Sequence, residues 1–498
     1  MYAYKDQLEV RNIVARLVLS ASFVLCSGAI SSAQTPAPAP KATPAPATNT
    51  VKFSGVVRGF YFTRSNAVNC DTIAPSLPAK PGTTGIPCNA QAGSLGGKFH
   101  ADYQFAQTPW SLGATYFGAL SGSPSSRGFD PRVDNSLPGY NVSVMGEAYL
   151  QYKNKYTTGQ IGREVINTPW ANPSDSRIVP VSFQGAWLSG AVTPTVTVGA
   201  YYMGRFRHRT ASAFYNDTLL TSCSQQTPVV YFLPEPPAAK TPIAGADPCA
   251  LPAAQSGTKG FALLQITKKF NPTWVANLYQ YKVYDVVNIT HIDTKNNFAP
   301  KSPLNPYFAA QYIAESDTGR ALVGTIKAHM YGMQMGASFG KNIDVAASFN
   351  QSGQQAFITT NCTSSPGGVF GGVKGATVPG GAPAGTTLCY GGGIASPYTD
   401  SYATDPLYTT TISQGLADVR KPGSAMKLAL TFQTNNKRFK AILAGAQYYY
   451  GLPAASLANQ LDQRKELNVD MQYFFSAVDS KKPYKGFSLR HRYADRFT

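Results

Sequence analysis

The feature that most constrains the fold of this chain is a strict alternation of apolar and polar residues in segments of about 9–12 residues. In residues 98–106 (KFHADYQFA), every second residue from Phe99 to Phe105 is apolar or aromatic, and the residues between them are polar. A tilted β-strand of this length crosses a bilayer. A soluble β-sandwich also alternates, so the connections between segments must decide between the two classes. The same alternation recurs in residues 110–120, 142–153 and 466–473.

The connections alternate between short turns and long loops. Long loops at one rim and short turns at the other are typical of outer-membrane barrels, and four long loops would be unusual in a soluble domain. The pattern therefore predicts an all-β fold, a transmembrane antiparallel up-and-down β-barrel. The short turns are 107–109, 154–156, 193–194, 271–272, 340–342 and 435–438, and the long loops are 65–97, 121–140, 207–257 and 352–423.

Seventeen strands can be counted, whereas barrels of this class have an even number, so 18 strands are expected. Either the chain stops before a closing strand, or a weak segment such as 289–295 is wrongly divided; 16, 17 or 18 strands stay open. The candidates are 51–64, 98–106, 110–120, 142–153, 157–165, 182–190, 195–207, 258–269, 273–285, 289–295, 306–315, 329–339, 343–351, 424–434, 438–450, 465–475 and 486–497.

The N-terminus has the pattern of a Sec-type export signal. Arg11 and Arg16 precede an apolar stretch, and small residues allow cleavage after Ala33. A short membrane anchor is the alternative, but the apolar stretch is too short to span, and no run of about 18 apolar residues follows. We expect residues 1–33 to be a signal peptide, 34–50 a Pro/Ala-rich periplasmic tether, and 51–498 the barrel.

Six cysteines remain after the expected cleavage, and they fall into three close couples inside Gly/Pro/Ser-rich segments. Outside the inner membrane such couples favour disulfides that staple loops. Zinc binding is disfavoured because the chain has no CxxC motif and only 5 His. No metal and no cofactor are expected. The expected bridges are Cys70–Cys88, Cys223–Cys249 and Cys362–Cys389.

The charge balance is strongly positive, with 43 Lys and Arg against 25 Asp and Glu, a formal net charge of +18. Only 14% of the residues are charged and 43% are hydrophobic, which excludes both a disordered tail and an ordinary charge-rich cytosolic enzyme. The excess of cations suits an anionic solute or an anionic outer leaflet. We expect lipid and lipopolysaccharide as partners, together with periplasmic chaperones and the barrel-assembly machinery during export, and no nucleic acid.

Several arginines alternate with apolar residues on their strands. A lipid-facing arginine near the bilayer centre costs about 2–4 kcal/mol, so these side chains are expected to face the lumen. Arg205 and Arg207 lie near a rim, where contact with lipopolysaccharide phosphate is an equal alternative, and the direction of Arg163 stays open. A column of fixed cations attracts anions and offers carboxylates bidentate partners. The expected column is Arg58, Arg205, Arg207, Arg490 and Arg492.

Residues 159–186 (GQIGREVINTPWANPSDSRIVPVSFQGA) resemble the outer-membrane porin D (OprD) family of substrate-specific porins. The family has a loop of the type TP-x-A-N-x-x-D-S-R-x-x-P-x-x-F-x-G after a Gly-Arg strand end. Further echoes are YDVVN at 284–288, DPLYT at 405–409, ELNVDMQYFF at 466–475 and KGFSLRHRYA at 485–494, so the resemblance spans about 51–498. One departure is that the family continues with a last loop and a closing strand, whereas this chain stops at Thr498.

The resemblance implies a function as well as a fold. The matching segment is the third long loop, which in that family folds inward and narrows the pore; an arginine ladder there guides the carboxylates of organic acids or amino acids. A porin for passive uptake of small carboxylate-bearing solutes, in outer membranes and as monomer or trimer, is therefore expected. The constriction residues carried over are Asn172, Ser174, Asp175, Ser176 and Arg177.

Three alternatives remain from the residues. They are a general anion-preferring diffusion porin, a non-conducting barrel used for adhesion or lipopolysaccharide contact, and a barrel enzyme. The enzyme is disfavoured because neither GxSxG nor HExxH occurs. The sequence does not specify which acid is carried.

Overall fold

The structure of the 498-residue chain is a computed structural model. The structure describes residues 48–69, 87–122, 137–138, 141–220, 257–322, 326–353, 355–359, 387–391, 393–399, 404–419, 423–450, 462–476 and 486–497. The expected signal peptide and most of the expected tether lie outside these residues. So do Cys70, Cys223, Cys249 and Cys362 and the side chains of Cys88 and Cys389, so the three disulfides stay predictions.

Nineteen strands and one helical turn, α1 (Leu416–Val419), are found in the described part of the chain. Among the described residues, no helix has the length and apolar character that crossing a membrane requires. The strands are β1 (Thr50–Asn69), β2 (Pro87–Gln104), β3 (Trp110–Ser121), β4 (Val142–Lys153), β5 (Thr157–Glu164), β6 (Ser182–Thr193), β7 (Val196–Arg207), β8 (Phe261–Asn271), β9 (Trp274–Val283), β10 (Val287–Asn296), β11 (Tyr307–Asp317), β12 (Lys327–Phe339), β13 (Ile343–Ser352), β14 (Gln355–Thr359), β15 (Thr387–Gly391), β16 (Gly423–Gln433), β17 (Phe439–Tyr450), β18 (Asp462–Phe474) and β19 (Ser488–Phe497).

Seventeen of these strands form one antiparallel wall in which each strand pairs with the next along the chain. They coincide with the seventeen segments predicted from alternation, including the weak segment at 289–295, which is β10. The remaining two strands, β14 and β15, form a separate two-stranded antiparallel sheet. The fold is thus the predicted up-and-down barrel architecture. Within the described residues no pairing joins β19 to β1, so the expected eighteenth strand is not among them.

The first long loop is shorter than predicted. β1 continues to Asn69 and β2 already begins at Pro87. The two strands keep one register as far as Arg64 and Ala90, and after a register shift they pair again at Val68–Cys88 and Asn69–Pro87. The prediction of a loop over 65–97 was wrong. The Gly- and Ala-rich stretch before Lys98 lacks the alternation of apolar and polar residues on which the prediction relied, but its main chain still pairs with β1. A strand pair needs only main-chain hydrogen bonds to continue.

The two faces of the wall differ in polarity as the alternation predicts. On the outer face large apolar side chains are exposed, such as Phe53 (66%), Val57 (77%) and Leu120 (59%). The inner face carries buried polar residues, among them Asn350 and Glu466. Exposed apolar side chains belong in lipid, since in water each would give up the roughly 1.5–3 kcal/mol available from burial.

Candidate pore constriction

The connection between β5 and β6, residues 165–181, folds into the space enclosed by the wall and is called the constriction loop here. The Asp175 side chain contacts Arg58 on the inner face of β1. On the other side Trp170 contacts Tyr281 of β9 through its main-chain N–H and His291 of β10 through its indole. Because these strands lie far apart in the sheet order, the loop must cross the lumen. This agrees with the prediction that the third long loop folds inward.

A buried ion pair holds the loop to β1. Arg58, only 3% exposed, binds both carboxylate oxygens of Asp175 and donates from Nη1 to the carbonyl oxygen of Arg177 at 3.1 Å. Lys98 of β2 adds a second cation, with Nζ 3.5 Å from Asp175 Oδ2. The guanidinium of Arg177 lies over the ring of Phe60, 5.0 Å from its centroid. Charged side chains can be buried at low cost only when they are paired and hydrogen-bonded, as Arg58 and Asp175 are here.

A second anchor on the opposite side is built from neutral groups. Trp170, fully buried, donates from Nε1 to His291 Nδ1 at 3.2 Å, and its main-chain N–H donates to the hydroxyl of Tyr281 at 3.2 Å. Since Nδ1 of His291 accepts this hydrogen bond, its proton resides on Nε2, which faces Asp293 Oδ2 at 3.5 Å. Asp293 thereby orients the ring that receives Trp170.

A second segment, residues 404–414, also lies inside the wall and is called the lumen strap. It meets the constriction loop where Asn172 Nδ2 donates to the carbonyl oxygen of Thr404 at 2.7 Å. The loop has a positive φ of 44° at Ser174, where the main-chain N–H of Ser174 donates to Asn172 Oδ1 at 2.9 Å. The two inward segments therefore form one connected assembly.

Buried wall side chains hold the main chain of the lumen strap along β13, β16, β17 and β18. Unpaired main-chain groups are costly when buried, and here the wall supplies their partners. The contacts are Thr409 N to Asn350 Oδ1 at 3.0 Å, Lys427 Nζ to Thr410 O at 2.9 Å, Tyr448 OH to Thr409 O at 2.7 Å, Ile412 N to Asn468 Oδ1 at 2.7 Å and Ser413 N to Glu466 Oε1 at 3.0 Å.

The carboxyl of Asp405 is enclosed at the start of the lumen strap. Its Oδ1 accepts hydrogen bonds from Leu407 N at 2.9 Å and Thr410 Oγ1 at 2.5 Å, whereas its Oδ2 is buried without a hydrogen-bond donor. Burial raises the pKa of Asp405 to about 7, although the nearby Lys427 ammonium acts in the opposite direction. The strap thus contains a carboxyl that changes charge near neutral pH.

The predicted arginine column is not brought together as one row. Arg58 and Arg207 are both buried; the guanidinium of Arg207 donates to Ser182 Oγ at 2.8 Å and to the carbonyl oxygens of Pro180 and Ala211, and it lies over the inward-facing ring of Phe117. These two arginines therefore hold the constriction loop and its base. They are positioning residues rather than exposed lining.

Arg205 faces away from the lumen, which corrects its expected orientation. β7 carries a β-bulge between Met203 and Arg205, opposite Gln184 and Gly185 of β6. A bulge inserts one extra residue and shifts the side-chain alternation, so Met203 and Phe206 are buried inside while Arg205 is exposed. Arg163, opposite Ala148, shares this outer face, and its guanidinium lies 4.9 Å from the centroid of Phe214.

Arg490 and Arg492 of β19 do lie together on the inner face. Arg490 donates from Nε and Nη2 to the two oxygens of Asp470 at 2.8 and 2.5 Å, and Arg492 Nε is 3.4 Å from Asp470 Oδ2. Their side chains are 22% and 19% exposed. Lys440 of β17 acts electrostatically on the same carboxylate. Two arginines of β19 therefore contact one acid, with Lys440 of β17 on the same face, and all three cationic side chains are partly exposed.

Sequence reasoning missed the lumen strap, His291 and Lys440. The DPLYT segment at 405–409 resembles the family, but its own residues contain no pattern that predicts a position inside the wall. Alternation on β10 places His291 inside with Asp293, which is the signal that could have identified it. In the described part of the chain no group of three His, Cys, Asp or Glu side chains could hold a metal ion.

Comparison with known proteins identifies the same architecture. The family model described as outer membrane porin, OprD family, matches residues 139–368. A BenF-like porin from Pseudomonas fluorescens Pf-5 has a TM-score of 0.61 at 11% identity, over 90% of this chain and 93% of that chain. OccK9 (OpdG) of Pseudomonas aeruginosa has a TM-score of 0.59 at 14% identity, over 90% of this chain and 93% of that chain.

A third solved structure carries a small molecule in its description. OpdK of Pseudomonas aeruginosa with vanillate has a TM-score of 0.59 at 10% identity, over 91% of this chain and 100% of that chain. At these identities the solved structures establish the fold alone. No curated protein matches the sequence.

Proposed function

We propose that this chain, which matches the model of the OprD family of outer membrane porins over residues 139–368, forms a narrow, basic-lined channel for passive diffusion of small carboxylate-bearing solutes. The family and the structural neighbours are channels rather than enzymes. The observation that carries the proposal is the group of Arg490, Arg492 and Lys440 around Asp470 on the inner face. Organic acids, amino acids and small peptides all carry the group that such cations recognise.

The chemistry of this group suits a carboxylate in transit. Guanidinium groups present planar donor pairs that match the two oxygens of a carboxylate. Asp470 already accepts hydrogen bonds from some of the guanidinium N–H groups. An incoming carboxylate therefore competes with the Asp470 carboxylate for these donors, which limits how tightly the solute is bound. Binding that is favourable but exchangeable allows a solute both to enter and to leave.

The two inward segments complement this group by limiting solute size. The constriction loop and the lumen strap meet at Asn172 and Thr404 and are each fixed to the wall by several buried contacts. A fixed obstruction favours a narrow passage over a wide aqueous one. The structure of OpdK with vanillate shows that one barrel of this fold was crystallised with a carboxylate, which supports the solute class proposed here.

Charge selectivity of the refolded protein tests this proposal. In a planar bilayer with a salt gradient, the reversal potential of the wild type should indicate preference for anions. The double variant Arg490→Gln/Arg492→Gln should shift the reversal potential towards zero or towards cations, because two of the three cations are removed. Arg205→Gln is the matched control, since it removes the same side chain from the outer face.

Two results would contradict the proposal. One is a wild-type channel that prefers cations. The other is a shift in Arg205→Gln that is half as large as the shift in the double variant or larger, since the single variant removes one charge and the double variant two, and such shifts would reflect net charge alone. An anion-preferring channel whose current is not reduced by added carboxylates would instead be a general diffusion porin.

A further inference from the structure

A row of polar and cationic side chains crosses the outer face of the wall at the long-loop rim. It consists of Lys282 of β9, Asn288 of β10, Ser316 of β11 and Lys327 of β12, which are successive partners across the sheet. It is called the outer polar row. Both lysines and Ser316 are exposed. With strands about 4.8 Å apart, the two lysines are roughly 14 Å from each other.

The outer polar row lies above an apolar belt on the same strands. Four residues further down each strand, the partners are Leu278, Ile292, Tyr312 and Tyr331. The last three are 40–47% exposed on the outer face. At about 3.4 Å per residue this separation is roughly 14 Å. The row therefore lies beyond the apolar belt, on the side of the long loops.

Further cations continue this surface towards β5. Arg163 and Arg205 share the outer face, joined in register through Gln184. Aromatic rings lie between the cations: Tyr202 donates from its hydroxyl to the carbonyl oxygen of Lys259 at 3.2 Å. One acid at this rim, Asp285, binds Arg320 with a 3.1 Å ion pair, and the nearby cations hold its pKa below the ordinary value.

We propose that the outer polar row, with Arg163 and Arg205, binds the phosphate groups of outer-leaflet lipopolysaccharide. Lysines are compact cations with three donors each, and the amide of Asn288 and the hydroxyl of Ser316 between them add neutral donors. The spacing of the lysines allows two phosphates to be contacted at once. A lipid with an anionic head group and acyl chains matches both the cations of the outer polar row and the apolar belt beside it. A second protein copy would need acidic side chains at matching positions.

Binding of lipopolysaccharide to the folded barrel in detergent tests the proposal. The probes are lipopolysaccharide, the same lipopolysaccharide after enzymatic dephosphorylation, and inorganic phosphate as competitor. The double variant Lys282→Gln/Lys327→Gln should bind the intact lipid about tenfold more weakly than the wild type. The control Lys268→Gln/Lys341→Gln removes two lysines from the short-turn rim and should change binding less than about twofold.

The expected pattern is loss of binding on dephosphorylation and in the first double variant, with the control unchanged and free phosphate competing poorly. Equal weakening in both double variants, or equal binding of the dephosphorylated lipid, would overturn the proposal. Self-association of the wild type that the first double variant abolishes, without lipid binding, would overturn it in favour of a protein interface. If that variant does not fold, Arg205→Gln/Lys282→Gln is judged by the same criteria.

Discussion

At the residue scale, the arginines of this protein divide by what surrounds them rather than by their position in an alternating strand. Arg58 is buried and neutralised by Asp175, Arg205 is exposed on the outer face, and Arg490 is partly exposed on the inner face beside Asp470. Only the last arrangement leaves donors within reach of a solute. Sequence alternation predicts which face a residue occupies, but not whether a distant loop already uses its charge.

The anchor at His291 is testable because the donor that it accepts from, the indole N–H of Trp170, is neutral and buried. In His291→Phe the indole N–H of Trp170 would lose its acceptor, and leaving a buried donor unpaired costs about 1–3 kcal/mol. His291→Gln is the matched control, since its amide oxygen can accept from Trp170 while its NH₂ faces Asp293. We expect the phenylalanine variant to unfold at lower denaturant and to show unstable conductance levels, with the glutamine variant closer to the wild type. A phenylalanine variant with the same stability to denaturant and the same steady conductance as the wild type would show that the loop does not depend on this hydrogen bond.

At the element scale, the constriction loop and the lumen strap illustrate two levels of predictability. The motif in residues 168–185 identified the constriction loop because its side chains make specific contacts. The lumen strap is held mainly through its main chain by wall residues such as Tyr448 and Glu466, which lie far away in sequence. Such contacts leave no local pattern. The bulge of β7 at residues 203–205 likewise escaped prediction, since it reverses an otherwise regular alternation.

The strap should depend on pH through Asp405. Its pKa of about 7 in the folded strap exceeds the value near 4 expected in water, so the folded strap binds the proton more tightly. The strap is therefore held most firmly at low pH and progressively less firmly as pH rises from about 4 through about 7. Lys427 and Glu466 are the other charged groups nearby.

Hydrogen exchange measures this dependence. After correction for intrinsic rates, the amide of Thr409, which donates to Asn350, should be less protected at pH 8.5 than at pH 5.5. Asp405→Asn should abolish most of the difference. The amide of Val181, which donates to the carbonyl oxygen of Pro173 in the constriction loop, is the internal control. The same loss of protection at both amides would argue against a role for Asp405.

At the scale of the whole molecule, the fold was predictable because the bilayer allows so few solutions. Main-chain groups in lipid must be paired within the protein, and a period-two pattern with alternating connections then leaves a barrel. All seventeen countable strands are present, and the inner and outer faces of β1 and β3 follow the alternation. The function depends on a smaller set of residues than the fold, since a solute contacts only the side chains that line the passage between the constriction loop, the lumen strap and the inner-face cations.

Solute uptake into liposomes that contain the wild-type barrel tests whether the channel favours small carboxylates. Initial rates are compared for benzoate and for benzyl alcohol, a neutral molecule of similar size, after subtraction of the rates in protein-free liposomes. We predict protein-dependent uptake that is faster for benzoate, and loss of this preference in Arg490→Gln/Arg492→Gln. Equal protein-dependent rates for the two molecules, or a benzoate preference that survives in the double variant, would contradict this prediction.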